Sequence, residues 1–302
     1  MLNSDLVKQK AREYGADIVG IGDIKYYADA PAQRDPKNIL PTAKCVIGCG
    51  FRVPRGLYDA MEHGNQFMNY TQLGVKFIDE EFAEIFLLKM GAMIENEGYD
   101  ACLQRHVSNL RIKGDKTTNP ELIDTYELVH AEPVAPGKPA PDVIMDFERS
   151  AEICGLGSIS CRGNVITPQF GPLVRFVFIV TDTPLSCDEP FDKNLCDKCG
   201  ACAAACPGHA ISMDTGLDTW QCAVYYRGAH KSNPFMPEDF LTDNPEREAI
   251  LNGDRRFDAD SARAIYQKLD FLPSRSTGYI PCLCGKKCDV ACYNHLKRTQ
   301  TI

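Results

Sequence analysis

Apolar and polar positions alternate along the chain with two different periods. Ser4 or Asp5 can cap a helix that runs to about Tyr14, with Leu6, Ala11 and Tyr14 on one side and Gly15 in the C-cap position. Residues 16–21 and 44–51 are short β-branched or apolar runs that predict strands. From 58 to 98, Phe77, Phe82, Ile85, Phe86, Leu88 and Met90 recur near helical spacing, and Asp79, Glu80, Glu81 and Glu84 supply the polar face. A further helix is expected over 142–154, closing at Gly155, then strands at 165–167 and 173–181 around the Gly171 and Pro172 turn. Alternating helices and strands point to an α/β domain. The Pro-dense stretch 133–141 reads as a rigid loop, and the Pro, Ser, Asp and Glu residues of 184–192 read as a linker. The expected organisation is one domain over 1–188 and a second over 189–302, the latter with an insertion at about 223–281 that carries a helix over 258–272.

Charge narrows the partners. Thirty-three Lys and Arg against 41 Asp and Glu give a net charge of −8 in 302 residues, the wrong sign for a general binder of nucleic acid. No window approaches the roughly 18 uncharged apolar residues of a membrane helix. The first residues interrupt any signal-peptide core with Asp5, Lys8, Lys10 and Arg12 and contain no twin-Arg pair. A cytoplasmic protein without membrane contact is expected.

Fifteen cysteines then change the picture, because a reducing cytoplasm does not keep them as disulfides. Six lie before residue 195, and nine fall between 196 and 292. Cys196, Cys199, Cys202 and Cys206, followed by Pro207, form the C-x2-C-x2-C-x3-C-P run of bacterial ferredoxins, in which three thiolates wrap one [4Fe–4S] cube and the fourth reaches a second. A zinc site would instead set four cysteines in two separated pairs. A second cube needs further thiols, and Cys222, Cys282, Cys284, Cys288 and Cys292 supply five. The expected assignment gives cluster one Cys196, Cys199, Cys202 and Cys292. Cluster two takes Cys206, Cys222, Cys288 and either Cys284 or Cys282. Cys282 is taken as the spare because it sits outermost. Cys45 and Cys49, on one face of a strand, together with Cys154 and Cys161, read as small packing thiols.

Four stretches then carry a family resemblance: residues 11–21 (AREYGADIVGI), 150–164 (SAEICGLGSISCRGN), 165–184 (VITPQFGPLVRFVFIVTDTP) and the cysteine arrangement. Together they resemble the corrinoid-dependent reductases that include epoxyqueuosine reductase and the reductive dehalogenases. The resemblance implies a nitroreductase-like (α+β) first domain holding base-off cobalamin, with a double-cluster ferredoxin domain delivering electrons to it from a donor such as ferredoxin or flavodoxin. It places Gly155, Leu156, Gly157 and Asn164 against the corrin, where tight helix-to-strand packing is the plainer reading of the glycines. It makes Asp142 the proton donor and Arg162 the group that stabilises a developing anion; a helix cap and a solvated cation are their ordinary alternatives. The charge and the absence of a helical-repeat tail disfavour tRNA as substrate and favour a small organic molecule. A homodimer is expected by analogy alone. The rivals are a corrinoid-free electron carrier that docks a partner protein and a flavin in place of the corrinoid.

Overall fold

The six residues that end β6 (Val174–Thr181) are all buried, as expected of a strand covered on both faces. In the computed structural model, which describes residues 2–105, 132–139, 141, 143–271 and 280–302, this strand lies inside a four-stranded sheet of order β1–β2–β6–β3. Its companions are β1 (Ile18–Asp23), β2 (Cys45–Arg52) and β3 (Ala101–Gln104). Every pairing is antiparallel, with Ile47 opposite Ile179, Cys49 opposite Val177 and Leu103 also opposite Ile179. The domain is therefore a mixture of helices and an antiparallel sheet, not an alternation around parallel strands. The short β3 has no sequence signal of its own.

Two units interleave along the chain. The first comprises Met1–Arg52, Asp79–Ser158 and Val174–Lys193; the second comprises Val53–Ile78, Ile159–Leu173 and Asn194–Ile302. Residues 53–78 and 159–173, which a single boundary at 188 assigns to the first domain, thus pack with the cysteine-rich second unit.

In the first unit, α1 (Ser4–Glu13) is capped one residue earlier than expected, by Asn3, whose side chain accepts from the Leu6 amide at 2.9 Å; Asn caps as well as Ser or Asp. Helix α4 (Phe147–Ile153) likewise starts late, at its cap Asp146, which accepts from the Arg149 amide at 2.9 Å. Two π-helical stretches, Tyr70–Lys76 and Ile78–Phe82, precede α3 (Ala83–Glu95). A π turn takes up more residues than an α turn, so the 3.6-residue pattern slips. Ile85 and Leu88, expected inside, are 55% and 66% exposed, and Asp79, expected in water, is 2% exposed. Arg175 compensates it with a forked ion pair, its Nε 2.9 Å from one carboxylate oxygen and an NH2 group on the other.

The end of α4 presses on the sheet where the sheet has no side chains. A Cβ on Gly20 would lie 1.9 Å from the Cys154 carbonyl oxygen, and one on Gly48 would meet Phe178, the Cys154 sulfur and Leu156 at 2.9–3.0 Å. Gly20→Ala therefore forces backbone apart and is expected to cost at least the roughly 1–3 kcal/mol of an overpacked core. Gly56→Ala, in α2 (Arg55–Glu62) with nothing within 4 Å of its Cβ, is expected to gain about 0.5–1 kcal/mol. Thermal unfolding of the two variants side by side checks both signs.

The second unit has its own apolar core. Val224, Tyr225, Ile250, Leu251, Phe257, Ala262 and Ile265 are buried together, so residues 250–265 of the insertion pack against α6 (Thr219–Tyr226). The helix expected over 258–272 is α8 (Ala259–Tyr266), closed at its start by a reciprocal Asp258 and Ser261 capping box and followed by a 3-10 turn, Gln267–Leu269. No described helix is long and apolar enough to cross a membrane.

Candidate metal centre

Three short elements of the second unit carry most of the thiols. The loop from Cys196 is bent by Lys198 and Gly200, both with positive φ (55° and 77°). Two Asx contacts fix it: Asn194 accepts from the Cys196 amide and Asp197 from the Cys199 amide, each at 3.1 Å. Helix α5 (Ala201–Ala205) then presents Cys202, and Cys206 follows as its C-cap. Helix α9 (Lys287–Arg298) contributes Cys288 and Cys292, four residues apart and so on one face. His295, a turn further on, ties α9 to the loop through its Nε2, 2.7 Å from Asp197 Oδ2.

These elements make two thiol groupings. One small cavity is lined by Cys196, Cys199, Cys202 and Cys292, the set expected for cluster one. Cys161 stands in the same wall, although its sequence context reads as packing only. In the other grouping Cys222 lies within electrostatic reach of both Cys206 and Cys284, and Cys288 within reach of Cys284. Cys282 sits to one side: its sulfur is 3.6 Å from that of Cys284, it is fully buried, and its amide donates to Thr71 Oγ1 at 3.2 Å. The Ala210 amide donates to the Cys206 sulfur at 3.3 Å, the kind of contact that stabilises negative charge on a cluster ligand. Burial pushes the thiols of Cys222, Cys288 and Cys292 up to about 12, so each must shed a proton to become a metal ligand.

A buried charge cluster borders the second grouping. Arg162, its side chain 8% exposed, pairs with Asp289, also 8% exposed, and donates to the Cys288 sulfur at 3.1 Å. Lys286 Nζ is 3.4 Å from the other Asp289 oxygen. Against the upward push of burial, Arg162 and Lys286 hold the Asp289 carboxyl below the usual carboxylate range. Lys286 and Asp289 carry no motif and escape a reading of the sequence.

A family model for a 4Fe-4S binding domain matches residues 189–212. The donor set fits that group: soft thiolates from one tight loop and one helix line a common cavity. An epoxyqueuosine reductase of Synechococcus sp. (strain CC9605) is 37% identical over 89 residues, covering 30% of this chain and 27% of that enzyme. The tetrachloroethene reductive dehalogenase of Sulfurospirillum multivorans is 44% identical over 61 residues, 19% of this chain and 12% of that enzyme. The fold is shared with epoxyqueuosine reductase from Streptococcus thermophilus, at a TM-score of 0.50 and 15% identity over 96% of this chain and 65% of that one.

Over these stretches the chain is similar to epoxyqueuosine reductases and reductive dehalogenases. The aligned stretches span about a quarter or less of these two curated relatives. The residues that the family resemblance assigns to a corrin are already engaged. Gly155, at φ +72°, has the Glu189 carbonyl oxygen 2.9 Å from where its Cβ would stand, and Leu156 is buried against Gly20 and Gly48. Gly157 is buried too, and Asn164 accepts from the Ser160 hydroxyl at 2.5 Å across a tight turn. All four are thus packed within the protein. Asp142 lies outside the described residues. Arg162 is neither a solvated cation nor a free anion receptor: its two arms are spent on Asp289 and Cys288.

Proposed function

We propose that the protein is an iron–sulfur reductase of a small organic substrate, with two [4Fe–4S] clusters bound by Cys196, Cys199, Cys202 and Cys292 and by Cys206, Cys222, Cys284 and Cys288. When bound, such clusters supply one-electron relay chemistry at low potential. One observation carries the reading. A cavity of about 480 Å³ has Cys284 in its wall, beside Met61, Phe67, Leu283 and Lys287. That size lies within the usual range of small-molecule sites, and the lining sets Met61, Phe67, Leu283 and Val290 beside Glu62, Ser232, Lys287 and Asn294. Cys199 is the one exposed thiol among the fifteen, which supports an entry side for electrons at the first set, from a donor such as ferredoxin or flavodoxin, and an exit at Cys284. Arg162 and Lys286 keep the net charge beside Cys288 positive and so favour the reduced state there.

Cobalamin, and with it a nitroreductase-like first unit, enters this reading through the likeness to reductive dehalogenases alone. Gly155, Leu156, Gly157 and Asn164 stand as its expected neighbours, and no step is assigned to cobalt. The substrate class that the relatives point to is an organohalide or an epoxide.

The test is anaerobic. Dithionite-reduced protein, freed of excess reductant, is expected to be reoxidised saturably by a small organohalide or epoxide, with and without added cobalamin as the two arms. Leu283→Trp, which fills the cavity, is expected to abolish saturation while iron content stays unchanged. Reoxidation only by protein partners would establish the electron-carrier alternative instead.

A further inference from the structure

The first thiol cavity holds one sulfur too many. A [4Fe–4S] cube takes four cysteines, yet five line this cavity: Cys161 with Cys196, Cys199, Cys202 and Cys292. Cys161 is positioned by a tight turn of the second unit. The Ser160 amide donates to the Asn164 carbonyl at 2.8 Å and the Gly163 amide to the Ser160 carbonyl at 3.0 Å, with Gly163 in the left-handed region at φ +86°. Its thiol lies within hydrogen-bonding reach of the Cys196 and Cys202 sulfurs and 3.9 Å from Met213 Sδ. Cys199, on the exposed side of the loop, has Asp197 and Cys202 near it.

We infer that Cys161 is a reserve ligand of cluster one, able to take the iron of Cys202 when that thiolate is absent. The exchange leaves all oxidation states unchanged. An Fe–S bond to Cys161 forms as its thiol proton passes to solvent, in place of the bond that Cys202 would make. A packing thiol has no need to share a wall with three cysteines of a ferredoxin motif and with Cys292, and the reach of its sulfur to Cys202 makes the exchange available there.

The inference rests on the two-cluster reading, and iron counting keeps the two separable. Reconstituted wild-type protein is expected to hold about eight iron atoms, on the cubane stoichiometry. About four would sink the two-cluster reading and leave the Cys161 comparison to be read against four. Cys161→Ala is expected to keep the wild-type count, and Cys202→Ala to stay close to it. Cys202→Ala combined with Cys161→Ala is expected to lose about four atoms. Low-temperature EPR of reduced Cys202→Ala should show the cluster-one signal with shifted g values, absent from the double variant. The cluster-two signal, retained in all variants, reports that each has folded. A loss of about four atoms in Cys202→Ala itself overturns the inference, as does full iron in the double variant or a loss in Cys161→Ala alone.

Discussion

Cys199→Ala is expected to hold about four iron atoms fewer than wild type, half of the two-cube content, while Cys282→Ala holds the same number. The contrast follows from where the two thiols stand. Cys199 sits at the crown of a loop whose φ angles at Lys198 and Gly200 are both positive and lines the first thiol cavity, whose fifth sulfur, Cys161, is in reach of Cys196 and Cys202. Cys282 is fully buried beside Cys284, with its amide held by Thr71 Oγ1. Anaerobic iron and sulfide analysis of the reconstituted variants measures both. Loss of iron in Cys282→Ala would move the fourth ligand of cluster two from Cys284 to Cys282, and with it the link between that cluster and the 480 Å³ cavity.

Arg162→Met is expected to destabilise the second unit by about 3–5 kcal/mol, the usual cost of leaving one partner of a buried ion pair uncompensated. Asp289 would keep only Lys286, at 3.4 Å, in a site where its side chain is 8% exposed. A second effect separates this residue from a merely structural one. Loss of the guanidinium removes both a positive charge and a hydrogen bond from the Cys288 sulfur, so the reduced cluster loses stabilisation and its midpoint potential falls. Arg162→Lys, which keeps the charge and forfeits the fork, should fall between. Denaturant titration of the holoprotein gives the first quantity and EPR-monitored redox titration the second. An unchanged potential in a destabilised Arg162→Met would reduce Arg162 to a structural residue.

Sequence and structure agree best where a local rule suffices. The runs at 44–51 and 173–181 are strands in which Cys45–Phe51 and Phe176–Thr181 are buried, and the ferredoxin spacing is legible because ligation by one loop demands it. The pattern over 58–98 fails at Ile85, Leu88 and Asp79 because the π-helical stretches shift the register and because Arg175, 96 positions away in the chain, makes burial of Asp79 tolerable. Cys161 and Asp289 were illegible for a related reason. Cys161 meets Cys196 and Cys202 across the chain, Asp289 meets Arg162 127 positions away, and no local pattern records such meetings.

The turn at residues 160–164 gives adjacent positions two different addresses. Cys161 faces the first set of cysteines, and Arg162 reaches Cys288 of the second. A change in the length or rigidity of this turn therefore cannot be confined to one redox centre. On the proposed two-cluster reading, an insertion after Gly163 would move a sulfur beside one cube and withdraw a cation from the other, so selection on this loop would act on the difference in potential between the two centres, and through it on the direction in which electrons run.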